Sequence, residues 1–123
     1  MIQIRNGWYA ATGYTYSFKG GIQVYLVILD NQGNFLYQHA YGGSTYDAGH
    51  SIQQTPDGGL VIAGYLGNEN YVLNVGLIKT DSTGNLVFMR VYGGSSDNRG
   101  NYIKVLDDGS FIIAGETSSY GAG

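Results

Sequence analysis

The residues whose types and spacing could do chemistry gather in two matched segments of this 123-residue chain. Thr45-Tyr46-Asp47-Ala48-Gly49-His50 and Ser96-Asp97-Asn98-Arg99-Gly100-Asn101 stand 51 residues apart and share only their glycine. Variable segments set between constant ones are where a rigid scaffold carries binding loops. Tyr46, Asp47, His50, Asp97, Asn98 and Arg99 combine aromatic, carboxylate, imidazole, amide and guanidinium groups, a set able to hydrogen-bond a glycan or another small ligand. They are the candidate ligand-binding residues. The competing reading is an ordinary solvated loop, with Asp47 and Asn98 capping it.

Other constellations carry less. Asp30 and Asp81 each open an Asp-x-x-Gly-Asn turn. A calcium loop needs oxygen ligands at alternate positions, and Gln32 and Thr83 interrupt any carboxylate series, so turn capping is expected. His50 has no second His nearby for a metal site. His39, which aligns with Arg90, is expected on a solvated outer strand. Gly42-Gly43 and Gly93-Gly94 lack the Lys and the following helix of a phosphate-cradling loop. There is no Ser-His-Asp ordering, no paired Glu and no Cys, which excludes thiolate and disulfide chemistry. No catalytic residue, metal or cofactor is expected.

The scaffold that must position these residues is periodic. Aligning residue i with i+51 needs no gap, and 20 of the 72 pairs are identical. Tyr14 meets Tyr65, Leu26 meets Leu77, and Asp30, Gly33 and Asn34 meet Asp81, Gly84 and Asn85. Such a period marks a repeat architecture. Repeat 1 covers residues 1–51, repeat 2 covers 52–102, and an incomplete repeat 3 covers 103–123, so the chain holds about 2.4 periods.

Each period reads as four short strands. In the central copy these are 51–55, 60–65, 73–80 and 86–92, separated by Pro56-Asp57-Gly58-Gly59 and Asp81-Ser82-Thr83-Gly84-Asn85, turns with Gly where positive φ is needed. The first copy is eroded at its start, where Asn6-Gly7-Trp8 replaces Asp57-Gly58-Gly59, although 22–29 and 35–41 are normal strands. The third copy has strands at 102–106 and 111–117. Four antiparallel strands in 40 to 50 residues is the arithmetic of a blade, so the expected fold is an all-β β-propeller of four-stranded antiparallel blades. Val61 with Ile62, and Leu77 with Ile78, provide the two apolar faces that blades packed face to face require. The small Ala63 and Gly64 suit a crowded axis, although Gly there can also mark a bulge.

Composition agrees. The chain is 43% apolar and only 12% charged, with 21 Gly and 12 Tyr. A net charge of −3 with six scattered basic residues leaves no footprint for nucleic acid. No apolar run approaches a membrane span, and Met1 to Gly7 lacks the basic region and apolar core of a signal peptide. The tyrosines concentrated in the first copy (Tyr9, Tyr14, Tyr16, Tyr25 and Tyr37) are read as packing and subunit contacts.

Two blades cannot close a ring, since propellers use four to eight. Either a longer parent chain supplies the rest or several copies assemble. One closure pairs the C-terminal strands 102–117 of one chain with strands 22–41 of its neighbour, displacing the strands before Gly21. Each chain then contributes two blades, and three or four chains give six or eight.

Tyr-Gly-Gly-Ser, an Asp or Asn a few residues on, then Ile, Thr-Pro-Asp-Gly-Gly-Leu-Val-Ile-Ala-Gly and Lys-Thr-Asp-Ser-Thr-Gly-Asn together resemble the β-propeller repeats of secreted and cell-surface proteins of bacteria and archaea. The resemblance spans nearly the whole chain. It implies a propeller fold, an extracellular or envelope location and no catalytic residues. The chain departs from the pattern in repeat number and in Tyr37 and Phe88, where Trp is usual. The expected function is a non-enzymatic module for assembly or protein interaction, built as a homo-oligomer. The alternative is a glycan- or small-ligand-binding propeller using the variable loops and the axial channel, with a glycosidase or lyase third.

Overall fold

A computed structural model describes residues 1–4, 6–15, 22–42, 47–67, 73–92 and 98–117. Among these residues ten strands follow in order: β1 (Ile2–Gln3), β2 (Tyr9–Thr15), β3 (Gln23–Leu29), β4 (Phe35–Tyr41), β5 (Asp47–Gln54), β6 (Leu60–Gly67), β7 (Leu73–Thr80), β8 (Leu86–Tyr92), β9 (Asn98–Val105) and β10 (Phe111–Thr117). They form three antiparallel sheets. The first is ordered β1-β2-β3-β4, the second β5-β6-β7-β8, and the third pairs β9 with β10. The all-β reading holds, with four-stranded antiparallel sheets. Among the described residues no sheet closes on itself. Among the described residues no helix is long and apolar enough to cross a membrane.

Local turn chemistry sets the hairpins. Gly7, Gly58 and Gly109 have φ of 88°, 90° and 88°, and Gly33 and Gly84 have 86° and 89°, the left-handed region that residues with a Cβ avoid. Each turn closes on the same two backbone bonds: Gly58 N–H donates to Thr55 O at 2.9 Å and Thr55 N–H to Gly59 O at 3.0 Å, as Gly109 does to Leu106 and Leu106 to Ser110.

Burial explains why β6 reads as an unbroken apolar run. Its residues alternate between two covered faces. Leu60, Ile62 and Leu66 join Val24, Leu26 and Ile28 of the first sheet in one core, and Val61 and Ala63 join Ile103 of the third in another. Ile78 and Leu77 on β7 divide the same way. The second sheet is thus packed on both faces, with β5 against β2 and β3, and β9 against β5, β6 and β7. β8 is the outer edge of its sheet and mostly exposed.

Two strand starts differ from expectation. β5 and β9 begin at Asp47 and Asn98, four residues before the expected 51 and 102. Both carry a bulge. Gly49 pairs with Gly64 and Ser51 with Ala63, leaving His50 as the extra residue, and Gly100 with Gly115 is followed by Tyr102 with Ala114, leaving Asn101. A bulge shifts the side-chain alternation by one, which hides the first half of each strand from a period-two reading.

Candidate functional site

The segment expected as a loop is therefore strand at the positions that matter. Asp47 starts β5 and is 1% exposed. Its N–H donates to Ile22 O at 2.9 Å, and its Oδ1 accepts from Gly67 N–H at 2.9 Å. A Cβ on Gly42, whose φ is +117°, would lie 2.1 Å from Asp47 Oδ2. The carboxylate fills the space that a side chain at 42 would need, so Asp47 ties the end of β6 to the entry of β5. This is a cap, and it faces inward.

His50 is exposed, because the bulge turns it out of the ladder. Its ring lies 5.3 Å from that of Tyr65, tilted by 44°. The contact joins a bulge on β5 to the neighbouring strand β6, and nothing in the sequence announces it. Asp47 and His50, three residues apart, end on opposite sides of the burial divide. Tyr46 and Asp97 lie outside the described residues. The backbones of Asn98 and Arg99 open β9 opposite Thr117 and Glu116, and their side chains also lie outside what is described. Beside Tyr65 the seam lined by Val24, Ala48, Ile62 and Gly64 is packed too closely to admit a water molecule. Among the described residues, no group of three His, Asp or Glu could hold a metal ion.

The turn carboxylates cap, as their spacing predicts. Asp30 Oδ1 accepts from Gln32 N–H at 2.9 Å and Asn34 N–H at 2.8 Å. Asp81 Oδ1 accepts from the backbones of Thr83 and Asn85, both at 2.9 Å, and from the Thr83 hydroxyl. The Asn85 N–H is the main cause holding Asp81 down at about 2, well below the ordinary carboxylate range. Asp57 is held at about 2 chiefly by the Thr55 hydroxyl, then by Gly59 N–H, with the Lys79 cation 3.4 Å away adding to it. Lys79 itself is buried and donates to Thr80 O at 2.8 Å.

A second constellation was missed by sequence reasoning. Tyr37, His39 and Tyr41 alternate along β4 and meet the Asp81–Asn85 hairpin of the second sheet. Tyr37 hydroxyl reaches Ser82 O at 3.4 Å, His39 Nε2 lies 3.0 Å from Thr83 O, and Tyr41 hydroxyl donates to Gly84 O. A carbonyl can only accept, so Nε2 is the protonated nitrogen of His39. Burial pushes the Tyr41 hydroxyl far up, and the Asp81 charge adds to the effect. His39 thus is half-buried against a neighbouring sheet and is not the solvated edge residue expected. The period-two alternation of Tyr, His and Tyr was the available signal.

Comparison with protein-family models gives no match, and comparison with curated proteins gives none. The functional reading rests on the residues themselves.

Proposed function

We propose that the chain is a non-enzymatic β-propeller module whose role is self-assembly or protein interaction, its ring completed by further copies or by the rest of a longer parent chain. The observation that carries this reading is unequal burial at positions one period apart. Tyr41 is 6% exposed and Tyr92 48%, and Val61 is 0% exposed and Ile112 54%. The residues are of like type. They differ in whether another sheet lies over them. Large side chains left bare on a sheet face support the reading of an interaction surface, and a further sheet packed as the second sheet packs on β4 would cover them. Closure by strands 102–117 with a neighbour's strands 22–41 is the form of assembly the repeat phase favours. The extracellular or envelope setting comes from the resemblance to surface propeller repeats.

A glycan- or small-ligand-binding reading is second, favoured by the exposed His50 beside Tyr65. Native mass spectrometry together with sedimentation separates the two. The assembly reading expects a discrete oligomer, three or four copies for six or eight blades. A folded, monodisperse monomer at micromolar concentration overturns it, and a glycan-induced change at His50 and Tyr65 in that monomer supports the alternative.

A further inference from the structure

We infer that Phe88, Arg90 and Tyr92 on β8 form a docking strip for the Asp30–Asn34 hairpin of a second copy of the chain. The inference rests on the assembly reading and gives it a defined contact. Its template lies inside the chain, where Tyr37, His39 and Tyr41 on β4 hold the carbonyls of Ser82, Thr83 and Gly84. Phe88, Arg90 and Tyr92 stand 51 residues after those three, and Asn31, Gln32 and Gly33 stand 51 residues before their partners. Phase alone therefore sets the register. Tyr92 hydroxyl donates to the Gly33 carbonyl of the second copy, Arg90 donates to its Gln32 carbonyl, and Phe88 covers Asn31.

The strip and the hairpin are built like their internal counterparts. Phe88 packs toward the third sheet, and the Arg90 guanidinium lies 4.7 Å over its ring, so both side chains stand on the face where β9 and β10 already sit. The two hairpins share their backbone bonds, Asp30 N–H to Asn34 O and Asp81 N–H to Asn85 O, both 2.9 Å. Their exposure differs. A Cβ on Gly84 would meet His39 at 2.5 Å, and one on Gly33 would meet nothing within 4 Å. Residues 31–34 are all exposed. One end of the chain thus shows a strip exposed at Arg90 and Tyr92 and the other a bare hairpin, the arrangement of a head-to-tail contact that propagates until it closes.

Charge agrees. Burial raises both Tyr37 and Tyr41 and the nearby Asp81 charge adds to it, so the Asp30 carboxylate of a docked hairpin would stand beside the strip, where Arg90 replaces the His39 of the template. Seating the hairpin also brings β3 of the second copy alongside β10, in the place β2 holds in the free chain. β2 is fastened on its far side by only two residue pairs with β1.

The test uses the full chain with p-benzoylphenylalanine in place of Tyr92, irradiated and mapped by mass spectrometry, alongside Tyr92→Phe and Arg90→Ala in sedimentation. Tyr92 and Arg90 are exposed, so the variants fold, which far-ultraviolet circular dichroism checks. A cross-link to residues 31–34 of another chain is expected. Each substitution is expected to weaken association about fivefold, the equivalent of one net hydrogen bond, with the Arg90→Ala loss shrinking at high salt. If the wild type assembles while cross-links fall elsewhere, or both variants associate like wild type, the strip is wrong and assembly stands. If the wild type is monomeric, the assembly reading falls and takes the strip with it.

Discussion

Substituting Gly64 by Ala tests whether the bulge at His50 sets the spacing of the second sheet. Gly64 sits between Gly49 on β5 and Gly76 on β7, a row of three glycines across the sheet. The bulge carries the Ala48 carbonyl to the side where a residue-64 side chain would stand. A Cβ there would lie 1.9 Å from Ala48 O and 2.9 Å from its carbonyl carbon, against the ~3.5 Å of ordinary contact. The obstacle is backbone held by the β5–β6 ladder, so it cannot rotate away as a side chain would. Overpacking costs about 1–3 kcal/mol, and a backbone clash belongs at the upper end. In a chain of this size about 3 kcal/mol lowers the melting midpoint by roughly 10 °C. Gly13, 51 residues earlier, is the control. β1 stops short of it, no bulge forms, and a Cβ at 13 meets nothing within 4 Å. Gly13→Ala should leave the midpoint unchanged or raise it slightly, by about 0.5–1 kcal/mol of unfolded-state entropy. Thermal unfolding followed by circular dichroism reads both. A Gly64→Ala midpoint within about 2 °C of wild type, or equal losses at 13 and 64, refutes the reasoning.

Acid should destabilise the chain through its turn carboxylates. Asp57 and Asp81 are held at about 2 when folded against an ordinary 3.8, so between those values the unfolded state binds more protons and stability falls as pH drops from about 4 to 2. Urea midpoints across that window should decline steeply for wild type and less steeply for the Asp57→Asn, Asp81→Asn double variant, with parallel curves counting against this account. Asp47→Ala removes the acceptor of the Gly67 N–H and opens space beside Gly42, a loss of about 1–3 kcal/mol in chemical denaturation. Asp47→Asn, which keeps one acceptor oxygen, should lose less, and a loss below about 0.5 kcal/mol for both would show that the cap does not matter.

What was legible in the sequence was local. The turns announced themselves because an Asp that accepts its own downstream amides and a Gly at positive φ are each decided within five residues, as at Asp81 to Asn85. The two-faced core was legible because Val61 and Ile62 are both apolar, which a strand with one wet face would not tolerate. The start of β5 was not, because Asp47-Ala48-Gly49-His50 has no alternation once a bulge interrupts it. His39 was misplaced for a different reason. Its surroundings come from a hairpin more than forty residues away, and an outer strand looks solvated until the neighbouring sheet is laid beside it. The pairing of His50 with Tyr65 and the burial of Lys79 beside Asp57 likewise depend on contacts between strands.

The state of the carboxylates bears on what the chain does with its sequence variation. Five of its nine acidic residues, Asp30, Asp47, Asp57, Asp81 and Asp108, accept backbone N–H bonds. A general acid or base works best with its pKa near the operating pH. Four of the five, all in turns, are displaced the other way, below the ordinary value. Hydrogen bonding that makes a carboxylate a good cap makes it a poor proton acceptor, so the turns spend their acids on shape. Variation between periods reaches residues of β4 that meet a neighbouring sheet: Tyr37 and His39 become Phe88 and Arg90 one period on. If β8 seats a second copy as β4 seats the second sheet, those substitutions are what distinguish the contact between chains from the contact within one. In that contact Arg90 would supply a charge for Asp30 that His39 need not supply to Asp81, whose hairpin is already held by the chain.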